Sequence, residues 1–143
     1  MGNYFTGKQI HSIDAKGRII IPAKFREKLG NEFVVLCLHN CLNLYPSAEW
    51  DKLLEKISNE LPATDRSYLD VLSYNSEPVE MDKQGRVILP PEMREAVKIE
   101  KDIVSVGSFE KIHVYAKDVW EKVSADVSSS NIEDKFAQYG IRL

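Results

Sequence analysis

One stretch of this chain occurs twice. Asp14-Ala15-Lys16-Gly17-Arg18-Ile19-Ile20-Ile21-Pro22-Ala23-Lys24-Phe25-Arg26-Glu27 returns sixty-eight residues later as Asp82-Lys83-Gln84-Gly85-Arg86-Val87-Ile88-Leu89-Pro90-Pro91-Glu92-Met93-Arg94-Glu95. Asp, Gly, the first Arg, the middle Ile, Pro, the second Arg and the closing Glu are identical at matching positions. A repeat of this kind means one supersecondary unit built twice, and the fold has to use both. A unit of about seventy residues hides its apolar surface poorly by itself. Two halves, 1–74 and 75–143, are therefore expected to share one core within the 143 residues.

The local chemistry of the stretch is readable. Asp-x-x-Gly predicts a four-residue turn in which Asp14 and Asp82 accept backbone hydrogen bonds and Gly17 and Gly85 supply a positive φ. Apolar runs on both sides predict a hairpin of the type I-plus-bulge kind. Arg18 and Arg86 then open the following strands. Ile19-Ile20-Ile21 and Val87-Ile88-Leu89 are too short for helices and predict strands buried on both faces. Pro22 and Pro90 suit the first position of a short helix, with Phe25 and Leu29 on its apolar face and Gly30 as its stop.

The rest of the chain also repeats. Residues 4–13 read as the strand entering the first turn, and Phe33–Leu38 as a strong strand turning at His39-Asn40. Leu42-Asn43-Leu44-Tyr45 alternates as a half-buried strand would. Ser47 is the expected N-cap of an amphipathic helix carrying Trp50, Leu53, Leu54, Ile57 and Leu61. Leu61-Pro62-Ala63-Thr64 breaks that helix. A second runs from Asp65 to Leu72 with Tyr68, Val71 and Leu72 on one face, and Asn75–Pro78 reads as a turn. In the second half Ile103–Val106 and Ile112–Tyr115 repeat the strand pair, and Val119, Trp120 and Val123 the helix. Tyr115 and Trp120 stand seventy residues after Tyr45 and Trp50, both tryptophans being expected as core anchors. A Ser128–Ser130 linker leads to a helix over Asn131–Tyr139, stopped by Gly140, whose Ile132, Phe136 and Tyr139 form an apolar face for docking. These elements describe a β-rich α+β chain.

Charge and chemistry narrow the function. The net charge is −3, yet residues 8–28 carry six Lys or Arg against two acids while residues 29–80 carry three against nine. A local basic patch, not the net charge, is the footprint of a nucleic-acid binder. No run of eighteen apolar residues or signal segment is present, and the match of Met1-Gly2 with Thr6 to an acylation pattern asks for no membrane. Cys37 and Cys41 lack zinc spacing and read as reduced, cytoplasmic core residues. His11, His39 and His113 are scattered, and no nucleophile, base and orienter stand together, so no enzyme, metal or cofactor is expected. Asp14 and Asp82 are better explained as turn caps than as a catalytic carboxylate pair. For Arg18 and Arg86, with Lys8, Lys16, Lys24, Arg26 and Lys83 nearby, two readings stand: contact with DNA, or an ion pair from each arginine to its own turn aspartate. Arg26 and Arg94, beside Glu27 and Glu95, are expected to pack or pair within the fold.

The doubled Asp-x-x-Gly-Arg motif, with Pro four residues after its Arg and Tyr and Trp following each copy, closely resembles the MraZ family. Gly7-Lys8-Gln9-Ile10-His11-Ser12-Ile13-Asp14-Ala15-Lys16-Gly17-Arg18 and Asp82–Pro90 are especially similar to it, and the likeness covers essentially the whole chain. The middle segment, Asp65–Tyr74, is poorer in Arg and Phe than is usual there. The resemblance implies a double-split, swapped-hairpin β-barrel of two AbrB-like halves with short helices around it. It also implies a transcription regulator that assembles into rings, commonly octamers, and binds repeated promoter boxes upstream of the division and cell-wall gene cluster, usually repressing it. By that likeness Arg18 and Arg86 read bases, Lys16, Lys83 and Lys8 contact DNA, and Asp14, Gly17, Asp82 and Gly85 shape the loops. The implied partners are promoter DNA and further copies of the chain, in the cytoplasm on the nucleoid, with no membrane or small-molecule substrate. The rival expectation is a duplicated β-module that holds a protein partner, as antitoxins of related fold hold toxins.

Overall fold

The computed structural model of the chain describes residues 4–127 and 129–143. Met1 and Gly2 of the acylation pattern, and Ser128 of the expected linker, lie outside the described residues. The first copy runs β1 (Lys8–Ser12), β2 (Arg18–Ile20), α1 (Ala23–Leu29), β3 (Glu32–Leu38), β4 (Cys41–Pro46) and α2 (Ser47–Glu60). A 3-10 turn at Ala63–Asp65 and α3 (Ser67–Tyr74) follow. The second copy repeats the order as β5 (Ser76–Glu80), β6 (Arg86–Ile88), α4 (Pro91–Ala96), β7 (Asp102–Ser108), β8 (Lys111–Ala116) and α5 (Lys117–Ala125), and α6 (Ser129–Ala137) ends the chain.

The copies are woven together by exchanged strands. Six strands form one antiparallel sheet in the order β1-β7-β8-β4-β3-β5, and β2 pairs with β6 in a separate ribbon. Each copy thus lends its opening strand to the other: β1 pairs with β7, and β5 with β3. Buried residues from Phe5 to Leu44 and from Met81 to Ala116 make a single apolar cluster. In this pairing order β1 and β5 are edges, so the sheet is open. Of the expected double-split arrangement the hydrogen bonding shows an open, antiparallel sheet with exchanged strands and a separate ribbon in which β2 and β6 pair with each other.

The expected hairpins are turns whose strands part company. Asp14 N–H donates to Arg18 O at 2.9 Å and Gly17 N–H to Asp14 O at 3.0 Å, which closes the turn. Just before it, Ile13 N–H is taken by Lys101 O at 2.8 Å, and just after it Leu89 N–H takes Gly17 O at 3.0 Å. Backbone from the other half captures both arms, so β1 and β2 never pair. The three-residue apolar runs are likewise not buried on both faces. Ile19, Ile21, Val87 and Leu89 are buried, but Ile20 and Ile88 are exposed, since the ribbon covers the core with one face only.

Other expectations shift for equally local reasons. Cys41 to Leu44 are all buried rather than alternating, because β4 is central in the sheet and α2 packs over it and β3. Asn43 survives there because its Nδ2 donates to Leu36 O at 3.2 Å and Leu38 O at 3.4 Å. Ser47 is the first helical residue, not the cap, and ties α2 to the sheet by donating from Oγ to Glu32 O at 3.0 Å. Pro22 and Pro90 also sit at the N-cap, one residue before the expected place. Asn75–Pro78 is not a turn: Ser76 opens edge strand β5, where a proline without an N–H is tolerated. Trp50 and Trp120 are half-buried rather than core, and each ring lies against its own copy's tyrosine, with centroids 5.3 Å from Tyr45 and 5.2 Å from Tyr115. Helix α3 begins two residues later than expected, with Tyr68 and Val71 exposed. Helix α6 includes Ser129 and ends at Ala137, so Tyr139 lies beyond it, and Ile132, Phe136 and Tyr139 are exposed on this chain.

A second exchange locks the ribbon. Arg26 donates from Nε to Ile21 O at 2.8 Å, and its guanidinium lies across Gly85 of the other half, where a Cβ would meet Nε and Cζ at 2.4 Å. Arg94 repeats this, with Nε to Leu89 O at 3.1 Å and its Cζ 2.8 Å from where Gly17 would carry a Cβ. The expected packing role of these arginines holds, but among the described residues neither pairs with Glu27 or Glu95. Gly85 therefore answers two demands, a φ of +79° and a guanidinium overhead.

Two outcomes are expected from this packing. Gly85→Ala should cost about 1–2 kcal/mol for its left-handed backbone and about 1.5–3 kcal/mol more as Arg26 leaves the Ile21 carbonyl. In an Arg26→Ala background only the backbone cost should remain, and urea unfolding of the four proteins reads the difference; equal costs in both backgrounds contradict the contact. The second concerns His113, opposite Asn43, whose Nε2 is buried with no hydrogen-bond partner among the described residues. Burial, with Lys111 and His39 adding to it, pushes its pKa from 6.5 down to about 4. Below pH 6.5 the unfolded chain takes up a proton that the fold refuses, so stability falls as the pH drops toward 4. His113→Asn, which copies Asn43, should unfold with a flatter pH dependence over that window than wild type, and an unchanged slope would contradict this.

Candidate nucleic-acid interface

Each of the two turns is held by an aspartate that accepts three hydrogen bonds. Asp14 Oδ1 accepts the backbone N–H groups of Lys16 and Arg18, both at 2.9 Å, while Oδ2 accepts Arg18 Nε–H at 2.7 Å. Asp82 repeats the arrangement with Gln84 N–H at 2.8 Å, Arg86 N–H at 2.9 Å and Arg86 Nε–H at 2.7 Å. The amide of the following arginine holds each carboxyl below its usual range, with the guanidinium and the second amide assisting against a desolvation cost. The carboxylates stay ionised at neutral pH and the clamps stay closed.

The clamp settles how the two sequence readings relate. An arginine has five N–H donors in a fixed fork. Each aspartate takes Nε–H and leaves the Nη groups, for which the described residues offer no hydrogen-bond partner. The side chains of Arg18 and Arg86 remain 24% and 31% exposed while their Nε–H groups are held by the aspartates. The ion pair expected for each arginine is present, and it leaves the Nη groups unused.

The ribbon sets the spacing. Arg18 stands opposite Ile88, Ile19 opposite Val87, and Ile20 opposite Arg86. The ladder continues one step each way through Leu89 N–H to Gly17 O and Ile21 N–H to Gly85 O. Alternation then puts Arg18, Ile20, Arg86 and Ile88 on one outward face, related by a local two-fold through the Ile19–Val87 pair. Diagonal neighbours on such a face lie about 7–8 Å apart at Cα, which is the separation this register gives the two arginine stems.

The lysines are placed less uniformly. Lys16 and Lys83 are exposed in the turns beside the arginines, but they are not equivalents: Lys16 matches Gln84, and Lys83 matches Ala15. Lys8 opens β1, six residues before Asp14, and at about 3.3 Å per extended residue it stands well away from Arg18. Its carbonyl accepts Lys24 Nζ at 2.9 Å, which makes Lys24 a tie between α1 and β1. The reach of Arg26 and Arg94 over the opposite glycines was invisible to local spacing; its one trace was that Arg and Gly repeat together. The outward isoleucines were missed because a continuous apolar run hides its own alternation.

Among the described residues, no group of three His, Cys, Asp or Glu side chains is placed to hold a metal ion, and no helix is long and apolar enough to cross a membrane. His11 is occupied within the sheet, its Nε2 lying 2.8 Å from Ser105 Oγ. Cys37 and Cys41 are both free thiols, and burial raises the pKa of each.

Known proteins share this organisation along the chain. A family model described as "MraZ protein, putative antitoxin-like" matches twice, over residues 4–71 and 74–140. The protein named transcriptional regulator MraZ of Acetivibrio thermocellus is 41% identical over 143 residues, covering 96% of this chain and 99% of its own. Its namesake in Caldanaerobacter subterraneus subsp. tengcongensis is 40% identical, covering 94% and 98%. The one in Thermoanaerobacter sp. strain X514 is 42% identical, covering 90% and 93%. With both matches spanning the two clamped turns and the strands that carry them, the chain belongs to the MraZ family.

Proposed function

We propose that this protein is a transcription regulator that binds promoter DNA through the ribbon face bearing Arg18 and Arg86. The observation that carries the reading is the pair of Asp-clamped arginines, fixed at the stem and free at Nη, on one outward face. A fork held in advance loses little entropy on binding, and arginine can read guanine O6 and N7 bidentately in the major groove. Lys16 and Lys83 contribute phosphate contacts from the turns, with Lys8 a more distant one. The names of the relatives point to transcription as the setting.

The finer proposal is a repressor of the division and cell-wall gene cluster, its own gene included, acting in the cytoplasm on the nucleoid without enzymatic activity. It works as a ring-shaped homo-oligomer, an octamer, on repeated promoter boxes. Each protomer offers few base contacts, so affinity comes from several protomers engaging several boxes at once. Exposed Tyr68, Val71 and Tyr74 on α3, and Ile132 and Phe136 on α6 with Tyr139 just after it, are apolar surface in keeping with subunit contacts. The halves 1–74 and 75–143 act as one reading unit, each supplying one arginine.

The test is fluorescence anisotropy with duplex DNA from upstream of the gene cluster, alongside a scrambled duplex. Wild type is expected to prefer the native duplex and to weaken steeply with salt as phosphate contacts release counterions. Arg18→Ala/Arg86→Ala should lose the preference by about 1–3 kcal/mol per guanine contact, while light scattering finds the assembly mass unchanged. Equal weak binding to both duplexes, or a double variant that binds like wild type, would contradict the proposal.

A further inference from the structure

The ribbon face also holds two isoleucines that the fold does not explain. The repeat supplies a comparison within one chain. At the buried positions the copies differ, Ile19 against Val87 and Ile21 against Leu89, none more than 2% exposed. Exchange among similar apolar shapes is what a core tolerates. At the outward position the copies agree: Ile20 is 51% exposed and Ile88 62% exposed. Core packing therefore does not account for the identity at this outward position. Of the other repeated residues, Asp14 and Asp82 clamp, Gly17 and Gly85 admit a guanidinium and Arg26 and Arg94 supply it, whereas Glu27 and Glu95 are exposed helix residues away from the ribbon face.

The register says what surrounds these side chains. Ile20 stands directly opposite Arg86, and Ile88 opposite Arg18. Cross-strand partners lie about 5 Å apart at Cβ, so each isoleucine flanks an arginine whose Nη groups are free. The DNA major groove admits a two-stranded ribbon, and the C5 methyl of thymine is the apolar feature among the base edges it presents. We propose that Ile20 and Ile88 are specificity-determining residues that pack on thymine methyl groups beside the bases contacted by Arg18 and Arg86. The inference rests on the DNA-binding reading and sharpens it: the boxes carry thymines next to the arginine-read positions, and uracil is discriminated against there.

Anisotropy titrations with the full chain test this on two duplexes from upstream of the gene cluster, one carrying deoxyuridine for every thymidine. Base pairing is kept and only the methyl groups are removed. Wild type should bind the uracil duplex more weakly, by about fourfold for each methyl group that an isoleucine would have buried. Ile20→Ser/Ile88→Ser should bind the two duplexes equally. Methyl removal also alters duplex shape, so the coupling between protein and base change is the quantity read. A uracil penalty equal in wild type and variant overturns the proposal while leaving DNA binding standing, as does the absence of any penalty in wild type. Failure of wild type to bind either duplex overturns this inference and the DNA reading together. A changed assembly mass in the variant, with thymine discrimination kept, assigns the isoleucines to a subunit contact instead and overturns it. Should the double variant not fold, Ile88→Ser alone, at the more exposed position, carries the same comparison.

Discussion

The ladder between β2 and β6 is the constraint on which the rest of this molecule depends. It is only three paired residues long, yet it joins the halves at their repeated motifs, and the carbonyls of Gly17 and Gly85 extend it at both ends. Slipping its register by one residue would turn Ile19 and Val87 outward and the arginines into the core. That burial cost itself opposes the slip. The guanidinium of each half's helix, lying over the other half's glycine and holding the strand carbonyl beside it, reinforces the register from outside. The core beneath and the face above are thus set by the same contacts.

The aspartates do a different job. Each carboxylate accepts two backbone amides and one guanidinium N–H, so loop shape and arginine direction are fixed by one group. An exposed ion pair of this sort adds little to stability; its consequence is geometric. It also offsets part of each arginine's charge, so the turns present directed N–H donors and not bare positive charges.

Much of this was legible in the residues. The repeat, the turn aspartates, the positive-φ glycines and the recurring Tyr and Trp are local chemistry, and most element types were recovered near their place, β5 being the exception. What stayed hidden was exchange between halves. A turn flanked by apolar runs reads as a hairpin, and only the capture of Ile13 by Lys101 and of Gly17 by Leu89 shows that its arms separate. The same blindness affected β4, whose Asn43 suggested a half-exposed strand until three neighbouring carbonyls satisfied it in the interior. Pro78 pointed to a turn because a proline in a strand needs an edge, and edges are set by topology. The placement of Arg26 and Arg94 depended on both the exchange and the register, so spacing alone could not reveal it.

The central claim is that the clamped arginines meet DNA with their stems still held. A structure of the protein bound to duplex DNA from upstream of its gene cluster tests it most directly. The account predicts Arg18 and Arg86 Nη groups within hydrogen-bond distance of base edges while their Nε–H groups remain on Asp14 and Asp82. DNA seated on another face, with both arginines left facing solvent, would contradict it.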